Sequence, residues 1–178
     1  MINRFFCTEL AKIDSNHDGN VFILDGTECR TSNELIGTGY SNTKITVSND
    51  SSSYDNIKKK DIVKGCLSPL SAQNYFGGKY KKFYPISKEG FAGIYLDFCG
   101  QINQLNGMER IFDHMAKKCI LTMTLTMRGE KDTKEKTKAW IEEETRKKGF
   151  RFESLFPEPY VYHSMFTLMY LISSPSFQ

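Results

Sequence analysis

Two consecutive β-type runs close the chain, residues 150–156 and 161–173, hinged on Pro157-Glu158-Pro159. They follow an alternation of strand-like and helix-like segments that ends in a charged helix over residues 131–148. Strands alternating with helices build a parallel sheet, since each crossover helix carries the chain back to the same end of the sheet. A short connection can join only antiparallel neighbours, so the last strand must run against the others. Few doubly wound sheets finish that way. The ending predicts an α/β sandwich of three layers, with a mostly parallel seven-stranded sheet and an antiparallel C-terminal hairpin.

The chain has 178 residues, enough for one domain over 1–178 that buries roughly 70% of its unfolded surface. Its 13 Phe, 9 Tyr and 7 Met supply bulky core material. A net charge of +3 is too small to imply a broad electrostatic footprint for nucleic acid. The five cysteines form no Cys-x-x-Cys pair, which argues for reduced thiols rather than a disulfide framework or a zinc ribbon. The start, Met1-Ile2-Asn3-Arg4-Phe5-Phe6, lacks the apolar stretch of a signal peptide, and no window is long enough to span a bilayer. The expected setting is the cytoplasm, without a membrane.

Residues 1–20 read as an N-terminal helix, with Phe6, Leu10 and Ile13 at helical spacing, followed by a turn of Asp, Ser, Asn and Gly. Val21-Phe22-Ile23-Leu24 is a strand buried on both faces. A short helix from Thr31 or Ser32 reaches Ile36, a second strand covers 44–48, and a third, weaker one covers 61–64. The stretch 55–60 reads only as polar, and 68–75 holds a helical turn. After 76–92, which has no clear period, come a fourth strand at 93–98, a strongly amphipathic helix at 101–118 and a fifth strand at 119–127. Thr122, Thr124 and Thr126 give that fifth strand one less apolar face.

In open α/β sheets ligands bind at the carboxyl ends of the strands, near the point where strand order reverses. Here those ends carry Asp25, Asn49-Asp50 and Asp97, a ribbon of acceptors suited to a nucleoside. An acid past the second strand suits the two hydroxyls of a ribose, and Gly26 past the first strand lets backbone approach a ligand.

These segments, Phe22-Ile23-Leu24-Asp25-Gly26, Ile45-Thr46-Val47-Ser48-Asn49-Asp50 and Ile94-Tyr95-Leu96-Asp97-Phe98-Cys99-Gly100, together with the terminal strand pair, resemble the class I S-adenosylmethionine-dependent methyltransferases, a Rossmann-like superfamily. The resemblance runs from about residue 20 to the end and is architectural more than lexical. It implies S-adenosylmethionine as cofactor. Its methionine part would lie on the loop from Asp25 through Gly26, Thr27 and Glu28 to Arg30, its ribose on Asn49 or Asp50, and its adenine on Gly65, Cys66 and Leu67. Asp97 would face cofactor and acceptor and orient or deprotonate the acceptor. Two departures stand out: a single glycine where the family has a Gly-x-Gly loop, and Cys66 in place of the usual acid. A domain that kept the architecture and binds a protein or nucleic-acid partner without catalysis is therefore the alternative.

Three further patterns bear on chemistry. The segment 76–92, with Lys79, Lys81, Lys82 and Lys88 among Tyr80, Phe83 and Tyr84, is a possible substrate loop for nucleic acid or protein; its simpler reading is a solvated loop. Cys99 stands where some pyrimidine-modifying methyltransferases place a nucleophile, but it lacks their preceding proline. Asp14-Ser15-Asn16-His17-Asp18-Gly19-Asn20-Val21, with Asp25 at position twelve, matches a calcium loop at several ligand positions. A strand-like run follows it where a calcium loop needs a helix, and the expected site holds no metal.

Overall fold

The structure is a computed structural model that describes residues 1–49, 53–78, 88–98, 100, 102–128 and 132–175. Helix α1 (Ile2–Ile13) leads into β1 (Asn20–Leu24), α2 (Arg30–Gly37), β2 (Ile45–Ser48), α3 (Ser53–Lys60), β3 (Cys66–Ser68), α4 (Ala72–Phe76) and β4 (Phe91–Asp97). Two 3₁₀ turns, Ile102–Leu105 and Glu109–His114, precede β5 (Met115–Thr126) and α5 (Thr133–Lys147). Strands β6 (Arg151–Ser154), β7 (Tyr160–Tyr162) and β8 (Met165–Ser173) close the chain.

Seven strands lie side by side in the order β3-β2-β1-β4-β5-β8-β6. The first five are mutually parallel, while β8 runs antiparallel to both β5 and β6. The eighth strand, β7, pairs antiparallel with the start of β8. The expected sandwich and its antiparallel ending are thus both present. Order reverses between β1 and β4: from β1 the chain moves out to β2 and β3, then returns to β4 on the other side.

Alternation along each strand divides the core in two. Val21 and Ile23 face one cluster with Phe6 and Leu10 of α1, Leu35 of α2 and Ile57 of α3. Phe22, Ile94, Leu96 and Leu121 face the other, with Tyr75 and Phe76 of α4, Phe112 of the second 3₁₀ turn and Ile141 of α5. Period-2 side-chain placement produces this split directly, with both sheet faces covered as parallel strands require. On the first face α1 lies hard against β4. A Cβ at Gly93 would come within 2.8 Å of Leu10 Cδ2 and 3.0 Å of Phe6 Cζ. Gly93→Ala is expected to cost about 1–3 kcal/mol by forcing α1 off the sheet. Urea unfolding checks this; an unchanged midpoint would mean that α1 moves without penalty.

Several boundaries differ from the sequence reading. The amphipathic run at 101–118 is not one helix. Gly107 sits at φ 79° and breaks it into 3₁₀ turns, whose Leu105, Met108, Ile111 and Phe112 are all buried. Residues from Met115 onward instead extend β5, with Met115 paired to Phe91. The third strand lies at 66–68, not 61–64. Asp61 adopts φ 52° at the end of α3, a helix that the polar stretch 55–60 did not announce. Gly65 then passes so close to β2 that a Cβ would meet Ile45 O at 2.4 Å and Thr43 O at 2.6 Å. The last β-type run, 161–173, contains its own hairpin. His163 at φ 53° turns the chain between Tyr162 and Met165 without a glycine or proline to signal it.

Candidate functional site

A cleft of about 690 Å³ opens at the carboxyl ends of β1, β2 and β4, at the reversal of strand order. Its floor is Leu24, Asp25 and Gly26; Asn49 and Ser53 flank it from β2 and α3, and Asp97 and Phe98 from β4. Ser71, Ala72 and Gln73 close one wall, and Asn103 and Gln104 of the first 3₁₀ turn close another.

Asp25 is 4% exposed, and its carboxylate is committed to α2. It accepts from Ser32 N (2.9 Å), Ser32 Oγ (2.7 Å), Gly26 N (3.1 Å) and Thr31 N (3.4 Å). The local reason is clear. The residue at the N-cap of α2 is Cys29, which makes no side-chain capping bond, so the N–H groups of the first turn are served from a strand end several residues back. Asn49 Nδ2 donates to Asp25 O at 2.9 Å, and Asn49 N donates to Ser68 O at 3.0 Å. Through its side chain and its backbone N–H, Asn49 therefore ties the ends of β1, β2 and β3 together. The position beside Gly26 is open, since a Cβ there would meet nothing within 4 Å.

Asp97 is accessible from the cleft, yet the protein packed around it raises its carboxyl above the ordinary value, and the nearby charge of Asp25 adds to the effect. Gln73 Nε2 donates to Gln104 O, which joins the two walls. The described lining residues include two carboxylates and no lysine or arginine. The charge these described residues bring to the cleft is negative and favours a ligand that carries positive charge.

Of the expected site residues, Asp25, Gly26, Asn49 and Asp97 converge on this cleft. Thr27, Glu28, Cys66 and Leu67 do not line it. Glu28 faces Lys60 of α3 at 3.8 Å. Because β3 begins at Cys66, residues 66 and 67 lie within the strand and pack on the core, and Ser71–Gln73 take the place beyond its end. Burial also pushes the Cys66 thiol up, opposite to what a reactive thiolate needs. Asp50, Cys99 and residues 79–87 of the expected substrate loop lie outside the described residues. Asn103 and Gln104 are hidden in the sequence because the apolar spacing around them fits a continuous helix. The signal was the amide run Gln101-Ile102-Asn103-Gln104 just past a strand end.

The calcium pattern resolves into a turn. Asp14 follows α1 and accepts from Gly19 N (2.9 Å), Asp18 N (3.3 Å) and Tyr40 OH (2.9 Å). The following segment is β1, not a helix. Among the described residues no group of three or more His, Cys, Asp or Glu side chains is placed to hold a metal ion. Among them, too, no helix is long and apolar enough to cross a membrane.

No protein-family model matches the sequence, and a search of curated proteins finds no match. Solved structures do match in shape. An O-methyltransferase from Bacillus cereus in complex with SAH is similar at TM-score 0.64 and 11% identity, over 97% of this chain and 80% of that one. An rRNA methylase from Streptococcus thermophilus is similar at TM-score 0.61 and 15% identity, over 98% and 95%. A chain of a fibrillarin/Nop5p complex is similar at TM-score 0.59 and 14% identity, over 86% and 72%. The chain shares the fold of these methyltransferases, a Rossmann-like mixed sheet with helices on both sides.

Proposed function

We propose that this chain, which has the class I methyltransferase fold, binds S-adenosylmethionine in the cleft and transfers its methyl group to an acceptor. The observation that carries the reading is the charge of the cleft at the reversal point: two carboxylates and, among the described lining residues, no basic side chain. A Rossmann-like site for a dinucleotide needs to welcome a pyrophosphate, which this field opposes. A sulfonium with an amino group suits it. The volume of about 690 Å³ lies within the range of small-molecule sites, and the open space beside Gly26 leaves room for a ligand against the backbone. Bound there, S-adenosylmethionine supplies an activated methyl group.

The roles of the chain's own groups follow from their positions. Asn49 and Ser53, past β2, would hold the nucleoside hydroxyls. Ser71 and Gln73, past β3, would flank its base. Asp25 would act through the loop Gly26–Cys29, holding it in place by anchoring α2 rather than by touching the ligand, and Thr27 and Glu28 would shape that loop from outside the cleft. Asp97 would orient the acceptor and take its proton, its raised pKa bringing it closer to the range of an effective general base. Catalysis would rest mainly on alignment and on exclusion of water.

Thermal unfolding with the demethylated product, S-adenosylhomocysteine, tests the reading. At a hundred times its dissociation constant a ligand adds about 2.7 kcal/mol, a clear rise in midpoint. Asn49→Ala should lose most of that rise when compared with its own ligand-free midpoint. A second reading, a partner-binding domain without catalysis, is favoured by the single-glycine loop and by the engagement of Asp25 with α2. No rise with S-adenosylhomocysteine would select it. After a rise, transfer of a labelled methyl to RNA, DNA or protein fractions would find the acceptor.

A further inference from the structure

We infer that a second groove, between the first 3₁₀ turn and α5, seats a nucleotide of a single-stranded nucleic-acid acceptor; the inference rests on the methyltransferase reading above. The groove encloses about 380 Å³, lined by Ile102, Asn103, Leu105, Asn106, Lys136 and Trp140. Asn103 also lines the main cleft, so the two spaces lie side by side and share that side chain as a wall. A group seated in the groove can present its neighbour to Asp97.

Each lining chemistry matches a part of a nucleotide. Trp140 is half-buried, packed on Phe112 with ring centroids 5.8 Å apart, which fixes the indole while it lines the groove. A fixed aromatic face stacks on any base. Asn103 and Asn106, three residues apart around a 3₁₀ turn, bring amides that both donate and accept, as a base edge requires. Lys136 precedes Trp140 by one turn of α5, so the ammonium and the indole share one helix face. That ammonium suits a phosphate. Lys136 is the one basic residue among the described residues that line the groove. The acidic main cleft repels phosphate, so an acceptor strand must leave its backbone outside, where Lys136 lies. A lysine-bearing peptide, the other acceptor class, meets like charge here.

Trp140 is the only tryptophan in the chain, so its fluorescence reports on the groove alone. The test titrates the intact chain with a short oligouridylate, an oligoadenylate and a lysine-rich peptide, with S-adenosylhomocysteine binding followed separately by calorimetry. We expect saturable quenching by the oligonucleotides, weakened about tenfold in Lys136→Gln with a smaller dependence on salt. Affinity for S-adenosylhomocysteine should not change in that variant, because Lys136 is exposed and does not line the main cleft. Absence of quenching while S-adenosylhomocysteine binds would overturn the inference and leave the methyltransferase reading intact. Quenching by the peptide instead, or equal oligonucleotide binding by Lys136→Gln, would overturn it as well. Quenching without any nucleoside binding in the cleft would overturn the acceptor role along with the reading on which it rests.

Discussion

Asp97→Asn is expected to lower the rate of methyl transfer by about 10²- to 10⁴-fold, the range spanned by removal of a positioned general base. The side chain stands at the carboxyl end of β4, in the cleft and facing the reversal point. Product binding should weaken far less than the rate, because the asparagine keeps the shape and loses only the charge and the proton acceptor. The pH profile separates this role from a structural one. Burial, and then Asp25, raise the Asp97 carboxyl, so the ascending limb of kcat/KM should lie above the usual carboxylate range and vanish in the variant.

Stability should move the opposite way. A carboxyl whose folded pKa exceeds its unfolded one favours folding when protonated, so stability falls as pH rises through the raised folded value. The penalty is fully present above that value and absent below the ordinary one of 3.8. Asp97→Asn should therefore raise the thermal midpoint at neutral pH, and the gain should fade as the solution is acidified through that window. A variant with unchanged rate and a lower midpoint would remove Asp97 from the reaction.

The second large effect belongs to Asp25. Asp25→Ala strips an acceptor from Ser32 N, Ser32 Oγ and Thr31 N at a site only 4% exposed. Donors left unpaired in such a place cost about 1–3 kcal/mol each, more when the lost partner is charged. With partial rehydration the sum is about 3–5 kcal/mol, a fall of roughly 10 °C or more for a chain of this size. Ser32→Ala should be milder, and the double variant should show strong coupling, since both changes break the same bonds. Loss of S-adenosylhomocysteine binding in Asp25→Ala would then follow from a loosened loop. Were the midpoint unmoved and binding alone lost, Asp25 would be a ligand contact and its anchoring role would fall.

These two aspartates also show how far the sequence could be read. Both sit at strand ends, and the strands were legible because fully buried parallel strands leave short continuous apolar runs, as in Val21-Phe22-Ile23-Leu24. Strand ends gather at one edge of this kind of sheet, which is why Asp25, Gly26, Asn49 and Asp97 line one cleft. The different orientations of the two aspartates were not legible in the sequence. One carboxylate turns back to a helix that lacks a capping side chain; the other opens into the cleft. That difference depends on Cys29 at the N-cap and on which groups crowd each strand end in space.

The segment 101–118 marks the limit from the other side. Its apolar spacing satisfies a helical period, and a local reading had no reason to choose otherwise. The choice was made by β4, whose edge at Phe91 pairs with Met115, and by Gly107, which adopts a left-handed turn where a helix would have continued. Asn103 and Gln104 became walls of the cleft as a result. By itself the sequence determined the alternation of elements, the antiparallel ending and the strand-end polar residues, because each is written in a local period or a short connection. Tertiary structure alone decided which carboxylate faces the cleft, where β3 and β5 begin, and that Trp140 and Lys136 come to lie in a groove beside it, because those outcomes depend on contacts between segments far apart in the chain.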